Sequence, residues 1–201
     1  MGWLIAALAA PAAGPILYGS LHYRPRAAAW VDGFVYLAVP ALVAWQILPE
    51  AWEQRSLALV AAVVLGLLAP GAIERLSHAL HRHTDSVALA VGLSGLALHA
   101  LLEGAALVPT ASGVGVAFAL AVILHRVPVG LIVWWLLRPR YGTGAAAAGV
   151  AMVSACTLLG WLLGVEVLGR MHEGGVGLYQ AFVSGSLVHV VYHQGRGDHR
   201  H

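Results

Sequence analysis

Three side chains that can bind a metal ion or a proton stand inside apolar sequence. His99 and Glu103 are four residues apart in SGLALHALLEGAAL, so a helix would place the imidazole and the carboxylate on one face, one turn apart. His125 stands in the next apolar segment. Neutral imidazole and carboxylate suit zinc and related divalent ions. Because ionisable groups are costly at membrane depth, these residues predict a metal or proton site.

Pro128 and Gly130 follow His125 closely. A proline removes one backbone donor and would release the carbonyl of Leu124, beside His125. This predicts a broken helical turn that forms a ledge for an ion. His99, Glu103 and His125 supply three ligands if their two segments pack antiparallel, as the short connection requires, and water or another helix would complete the shell.

The elements that must position these residues are membrane helices. Hydrophobic residues make up 60% of the chain and charged residues 10%, with a mean hydropathy of +0.80, whereas about 25% of a soluble domain is charged. All eleven basic side chains are arginine, which excludes a retinal Schiff base. The arginines are scattered among loops, so they predict topology rather than a nucleic-acid surface. Cys156 is alone, which excludes a disulfide framework.

The sequence predicts an all-α integral membrane protein, a single domain over 1–201 built as a bundle of about seven transmembrane helices. Pro11 and Pro15 should kink the first helix, and Gly160 and Gly164 stand at the GxxxG spacing that permits close helix approach in the sixth. The predicted spans are 3–20, 28–48, 57–80, 86–108, 114–137, 144–168 and 176–192.

Charge orients the bundle. The loops after the first, third and fifth spans, and the tail, carry pairs of arginines, whereas the other loops are acidic or weakly charged. Because cytoplasmic loops are enriched in arginine, the N-terminus is predicted outside and the C-terminus in the cytoplasm, in the inner membrane of a bacterium. A short cytoplasmic loop around 78–85 then contains His78, His81 and His83.

Together these motifs resemble the ZIP (Zrt/Irt-like) family of divalent metal transporters. HALLEG, 99–104, is similar to the HNxxEG pattern of the family's fourth helix, and HRVPVG, 125–130, to the HKxPEG pattern of its fifth. GFVYLAVPALVAWQILPEA, 33–51, and AFVSGSLVHVVYHQ, 181–194, resemble the second and seventh helices. The histidines of the 78–85 loop occupy the place of the family's cytoplasmic histidine-rich loop, so the resemblance covers most of the chain.

The resemblance implies a transporter rather than an enzyme. Its cargo would be a divalent metal ion, with zinc as the first expectation and cadmium, iron or manganese as alternatives. The ion would enter the cytoplasm by alternating access through His99, Glu103 and His125. His78, His81 and His83 would capture the exiting metal. Five further polar residues are candidates for the pathway or for support of the ligands, or else face water or an interface: Asp32, Gln46, Glu74, His189 and His193. A homodimer is compatible with the small-residue helix faces.

The chain also departs from the family pattern. Ala100 and Val129 stand where members with two metals have an asparagine and a glutamate that help to hold the second ion. Gln46 replaces the histidine of the second helix, and the eighth helix has no counterpart. These departures lead to the hypothesis that the guanidinium of Arg126 takes the place of a second cation and pairs with Glu103, which leaves a mononuclear site.

Other interpretations remain open at this stage. A membrane-embedded zinc hydrolase would need a further acid or nucleophile from Asp32, Glu74 or Ser186. A haem-binding redox bundle would need His99 and His125 to face each other across a cavity. A non-transporting metal-binding homologue fits the departures, and a hydrogen-bonded His99–Glu103 pair that pins two helices would need no metal.

Overall fold

The computed structural model describes the chain at 2–21, 25–54, 56–80, 85–109, 115–168, 170 and 173–197. Side chains are described within these ranges except at 18, 20–29, 31, 32, 35, 36, 50–55, 73–88, 91, 173, 190 and 193–197. All regular structure in the described residues is helical, as predicted. The helices are α1 (Gly2–Ala9), a 3-10 turn (Ala10–Ala12), α2 (Ala13–Leu21), α3 (Pro25–Gln54), α4 (Leu57–Leu80), α5 (Asp85–Ala106), α6 (Val116–Leu168) and α7 (Glu173–Gly197).

The predicted spans coincide with these helices. The break expected at Pro11 is present, because this proline lies in the 3-10 turn that separates α1 from α2. The helices α3 and α7 extend beyond the predicted spans at both ends. The spans were predicted from hydrophobic stretches, which show only the apolar part of a helix. The polar ends of these two helices were therefore not predicted.

Helix α6 contains both the fifth and the sixth predicted span. Gly142 is its one non-helical residue, with φ +81°, a left-handed region that favours glycine. Gly149 lies against Leu137, and Arg126 contacts Thr157, so the limbs 116–141 and 143–168 run antiparallel. The two spans are therefore separated by a turn at Gly142 rather than by the longer connection that was predicted, 138–143.

The predicted break at Pro128 is wrong. The first limb of α6 keeps helical dihedral angles through this proline. A proline removes a single backbone hydrogen bond, and here it lies in a buried stretch whose neighbour Gly130 packs directly on the backbone of Pro11 and Gly14. This packing favours a continuous helix, so the turn beside His125 is unbroken, although Pro128 still has no N–H to donate to the carbonyl of Leu124.

Glycines let α5 approach the second limb of α6 closely. A Cβ on Gly104 would overlap the carbonyl oxygen of Thr157, and a Cβ on Gly160 would overlap that of Leu101. Gly164 also lies against α5. The close approach predicted from the GxxxG spacing is thus present, and it fixes α5 against the second limb of α6.

A second pair of glycines joins α4 to α7. Gly66 lies against the backbone of Phe182, and Gly185 lies against that of Val63. The longest helix, α6, packs in turn on α1, α2, α3 and α5. The metal-binding candidates therefore lie on α6, which contacts most of the other helices, and on its neighbour α5.

Helix α6 is the one described helix long and apolar enough to cross a membrane by length and composition. Shorter apolar helical stretches occur at Gly2–Leu17, Leu37–Pro49 and Leu57–Ala72. The number of membrane crossings stays a prediction.

Candidate metal centre

The centre forms where α5 faces the first limb of α6. His99 and Glu103 lie one turn apart on α5, and His125 and Arg126 lie side by side on α6. One ligand atom from each of His99, Glu103 and His125 falls within 4.8 Å of the other two. Glu103, His125 and Arg126 are each 1% exposed. The structure thus brings together the three predicted ligands and the predicted cation in one buried cluster.

Both imidazoles face the same carboxylate oxygen. Nε2 of His99 lies 2.8 Å from Oε1 of Glu103, and Nε2 of His125 lies 3.0 Å from it. The rings are edge to face, with centroids 5.9 Å apart. Although these distances are short, Oε1 accepts no hydrogen bond of acceptable geometry from the described residues. The two Nε2 atoms and Oε1 are therefore close together, but no hydrogen bond of acceptable geometry joins them.

Both ring nitrogens of His125 face an oxygen atom. Nδ1 lies 3.2 Å from the carbonyl oxygen of Ala121, and Nε2 lies 3.0 Å from the carboxylate of Glu103. A carbonyl and an ionised carboxylate can only accept, whereas a neutral imidazole carries one N–H and can donate to only one of them. A metal ion bound at Nε2 would satisfy both sides of the ring, because the N–H would then be at Nδ1 and donate to Ala121.

The spacing of the three atoms is close to that of a metal coordination shell. Bonds of about 2.1 Å with tetrahedral angles would separate ligand atoms by roughly 3.4 Å. The two observed contacts of 2.8 and 3.0 Å are slightly shorter. Small side-chain rotations would open the group to the tetrahedral spacing, so it can accept zinc or a similar divalent ion.

Arg126 holds the other oxygen of the carboxylate. Its Nη2 donates to Oε2 of Glu103 at 2.9 Å and lies 3.5 Å from the carbonyl oxygen of Ala100. Its Nη1 donates to the hydroxyl of Thr157, which itself donates to the carbonyl of Val153. The predicted pair between Arg126 and Glu103 is therefore present, and it is anchored on the second limb of α6.

Helix α7 supports the end of α5 that carries Glu103. The hydroxyl of Tyr179 donates to the carbonyl of Leu102 at 2.6 Å, and the side-chain amide of Gln180 donates to the carbonyl of Ala106 at 3.2 Å. The last carbonyl of a helix has no partner within it, so Gln180 satisfies the carbonyl of Ala106. Tyr179 adds a bond one turn earlier, and the two side chains together tie this end of α5 to α7.

Sequence analysis missed Thr157, Tyr179 and Gln180. Thr157 is 31 residues from Arg126, and Tyr179 is 77 residues from Leu102. The sequence feature that could have indicated them is that all three are polar residues within apolar helices. Spacing along the chain could not assign their partners, because these contacts depend on which helices become neighbours.

Two of the remaining predicted residues lie at other helix interfaces. Gln46 is half-buried, with its side-chain oxygen beside Gly115 at the start of α6, about 15 Å along the helix from His125. The ring of His189 packs on Gly71 between α4 and α7. The side chains of six others lie outside the described residues: Asp32, Glu74, His78, His81, His83 and His193.

The geometry argues against Ser186 as the nucleophile of a hydrolase and against a haem site between His99 and His125. The hydroxyl of Ser186 donates to Val183 within its own helix, so this serine is not poised as a nucleophile toward the cluster. The Glu103 carboxylate contacts both Nε2 atoms and so occupies the gap in which a haem would have to lie.

Comparisons of the chain with protein-family models, with curated proteins and with solved structures find no match. The function is therefore inferred from the sequence and from this cluster.

Proposed function

We propose that this protein is a transporter that moves a divalent metal ion, zinc in the first place, across a membrane into the cytoplasm. One observation carries the proposal: the convergence of one ligand atom from each of His99, Glu103 and His125, all within 4.8 Å of one another. The ZIP-like motifs at these same positions support it. The site is proposed to be mononuclear.

The distribution of apolar surface supports a lipid environment. The protein buries its charged cluster and exposes large hydrophobic side chains. On α3 five of these lie four, three, eight and three residues apart, which keeps them on one helix face: Trp30, Phe34, Leu37, Trp45 and Leu48. Further exposed leucines and valines lie on α4 and on the second limb of α6. In water, apolar patches of this extent would be unusual for a monomer.

The tryptophans of α3 support the same conclusion. Trp30 and Trp45 are 80% and 78% exposed and stand fifteen residues apart, which is about 22 Å along a helix. Tryptophan is enriched at both membrane–water interfaces, and the hydrocarbon layer between them is about 30 Å thick. Their separation is shorter than this layer, so the two exposed indoles support a lipid-facing side of α3 without marking both interfaces.

The cluster is suited to a passing ion. Three protein ligands leave at least one coordination position for water, so the ion exchanges part of its hydration shell on entry and regains it on exit. The ligands must be deprotonated to bind metal, so protonation of Glu103 or of the histidines favours release. In the proposed orientation the ion leaves toward the 78–85 loop.

Uptake into proteoliposomes tests this function. Zinc and cadmium flux is to be compared among wild type, His99→Ala and Glu103→Ala, with Glu166→Ala as a control for loss of an acid at an exposed position. We expect flux in wild type and in Glu166→Ala, and at least a tenfold loss in the two ligand variants. Equal flux in all four proteins would remove these residues from transport.

A further inference from the structure

We infer that Arg126 acts as a permanent internal competitor of the transported ion and keeps the metal affinity of the site low. The inference rests on the proposed function and deepens it, since it concerns how tightly the site holds its cargo. A buried arginine beside a metal ligand would then regulate release.

The charges of the cluster balance before any metal enters. Among the described residues, Glu103 is the one acid in the ligand group. Its negative charge is already compensated by Arg126 at 2.9 Å, and both side chains are 1% exposed. A divalent ion therefore enters a site of zero net charge and meets a guanidinium on the far side of the same carboxylate. Little solvent is present to screen that repulsion.

The guanidinium is unable to withdraw by losing a proton or by moving aside. Arginine stays charged in proteins. The hydroxyl of Thr157 and the carbonyl of Ala100 hold its two terminal nitrogens from different helices. Ala100 also belongs to an apolar cluster with Val129 and Val153, so these neighbours offer no second acid. The competing charge is fixed in the fold.

Weak binding has a functional consequence. A carrier must release its ion, and a ligand set that binds too tightly retains it. Removal of the Arg126 charge should therefore raise affinity and slow release. Metal affinity should therefore rise while flux falls. Loss of a ligand would instead lower both.

Metal titration of the purified full-length chain in detergent tests the inference. Cadmium affinity is to be measured by calorimetry for wild type, Arg126→Gln and Arg126→Met. Arg170→Gln is the matched control, because this arginine is exposed and pairs with Glu166 outside the cluster. We expect the two neutral variants to bind roughly ten- to a hundredfold more tightly than wild type, with Arg170→Gln unchanged. Arg126→Lys, which keeps a charge, should bind more weakly than Arg126→Gln.

A second measurement covers variants that are unstable without metal. Arg126→Gln and Arg126→Met are to be purified with cadmium and dialysed beside wild type, and the retained metal counted. We expect retention in the variants after wild type has lost its ion. Equal or weaker binding in both neutral variants, with metal bound by wild type, would overturn the inference and leave the transport proposal intact. No binding by any of the proteins would overturn the metal site itself.

Discussion

At the scale of single residues, the cluster is one buried ion pair with two imidazoles attached to it. Glu103 and Arg126 compensate each other's charge, so removal of either leaves an uncompensated charge in the interior. Loss of one partner of a buried pair costs about 3–5 kcal/mol, whereas loss of both together costs much less. The pair should therefore show strong coupling.

A double-mutant cycle measures this coupling. Glu103→Gln and Arg126→Gln should each lower the free energy of unfolding by about 3–5 kcal/mol in the presence of a chelator, and the double variant should lose clearly less than the sum. Denaturant unfolding in detergent provides the measurement. The pair Glu166–Arg170, whose side chains are 67% and 78% exposed, is the matched control, with coupling within about 0.5 kcal/mol. Additive losses at Glu103 and Arg126 would contradict the buried pair.

The residue scale also shows where sequence reasoning reached its limit. The spacing of His99 and Glu103 predicted one helix face, and the short connection to His125 predicted the partner helix, because both constraints are local. The anchor of Arg126 on Thr157 is not local, since it requires the second limb of α6 to return beside the first. Pro128 misled the prediction because its effect on a helix depends on what packs around it.

At the scale of elements, the geometry of the centre depends on how closely α5 packs on the second limb of α6. Gly104 is adjacent to Glu103 and lies directly on Thr157, the residue that anchors Arg126. A methyl group at Gly104 would push the two helices apart at the point where both halves of the ion pair are held. The packing role of Gly160 and Gly164 was predictable from their spacing, but that of Gly104 and the position of this interface over the site were not.

Two glycine substitutions in the same helix separate packing from helix propensity. Gly104→Ala should destabilise the protein by about 1–3 kcal/mol through overpacking and weaken metal binding. Gly92→Ala is the matched control, because a Cβ at Gly92 meets nothing within 4 Å. This control should be neutral or stabilising by up to about 1 kcal/mol. Thermal unfolding and cadmium titration check both effects, and equal behaviour of the two variants would rule out a packing role for Gly104.

At the scale of the whole molecule, the bundle buries the ion pair of Glu103 and Arg126 and exposes many large apolar side chains, and the arginines near the helix ends predict its orientation. Arg138 and Arg140 precede the turn at Gly142, so this turn is predicted in the cytoplasm. The connection that leaves α5 at Pro109 is then predicted outside. The helix limb that carries His125 would run between these two sides, with the metal centre enclosed within the bilayer.

Cysteine labelling tests this orientation. Cys156 is the single cysteine, so Cys156→Ser gives a background in which Pro109→Cys and Gly144→Cys can each be probed, both at exposed positions. In intact spheroplasts, a membrane-impermeant maleimide should label the cysteine at 109 and spare the one at 144 until the membrane is permeabilised. Labelling of 144 alone would invert the orientation, and labelling of both before permeabilisation would remove the membrane crossing between them. Since the first limb of α6 joins these two positions, the result decides whether His125 lies on a segment that spans the bilayer.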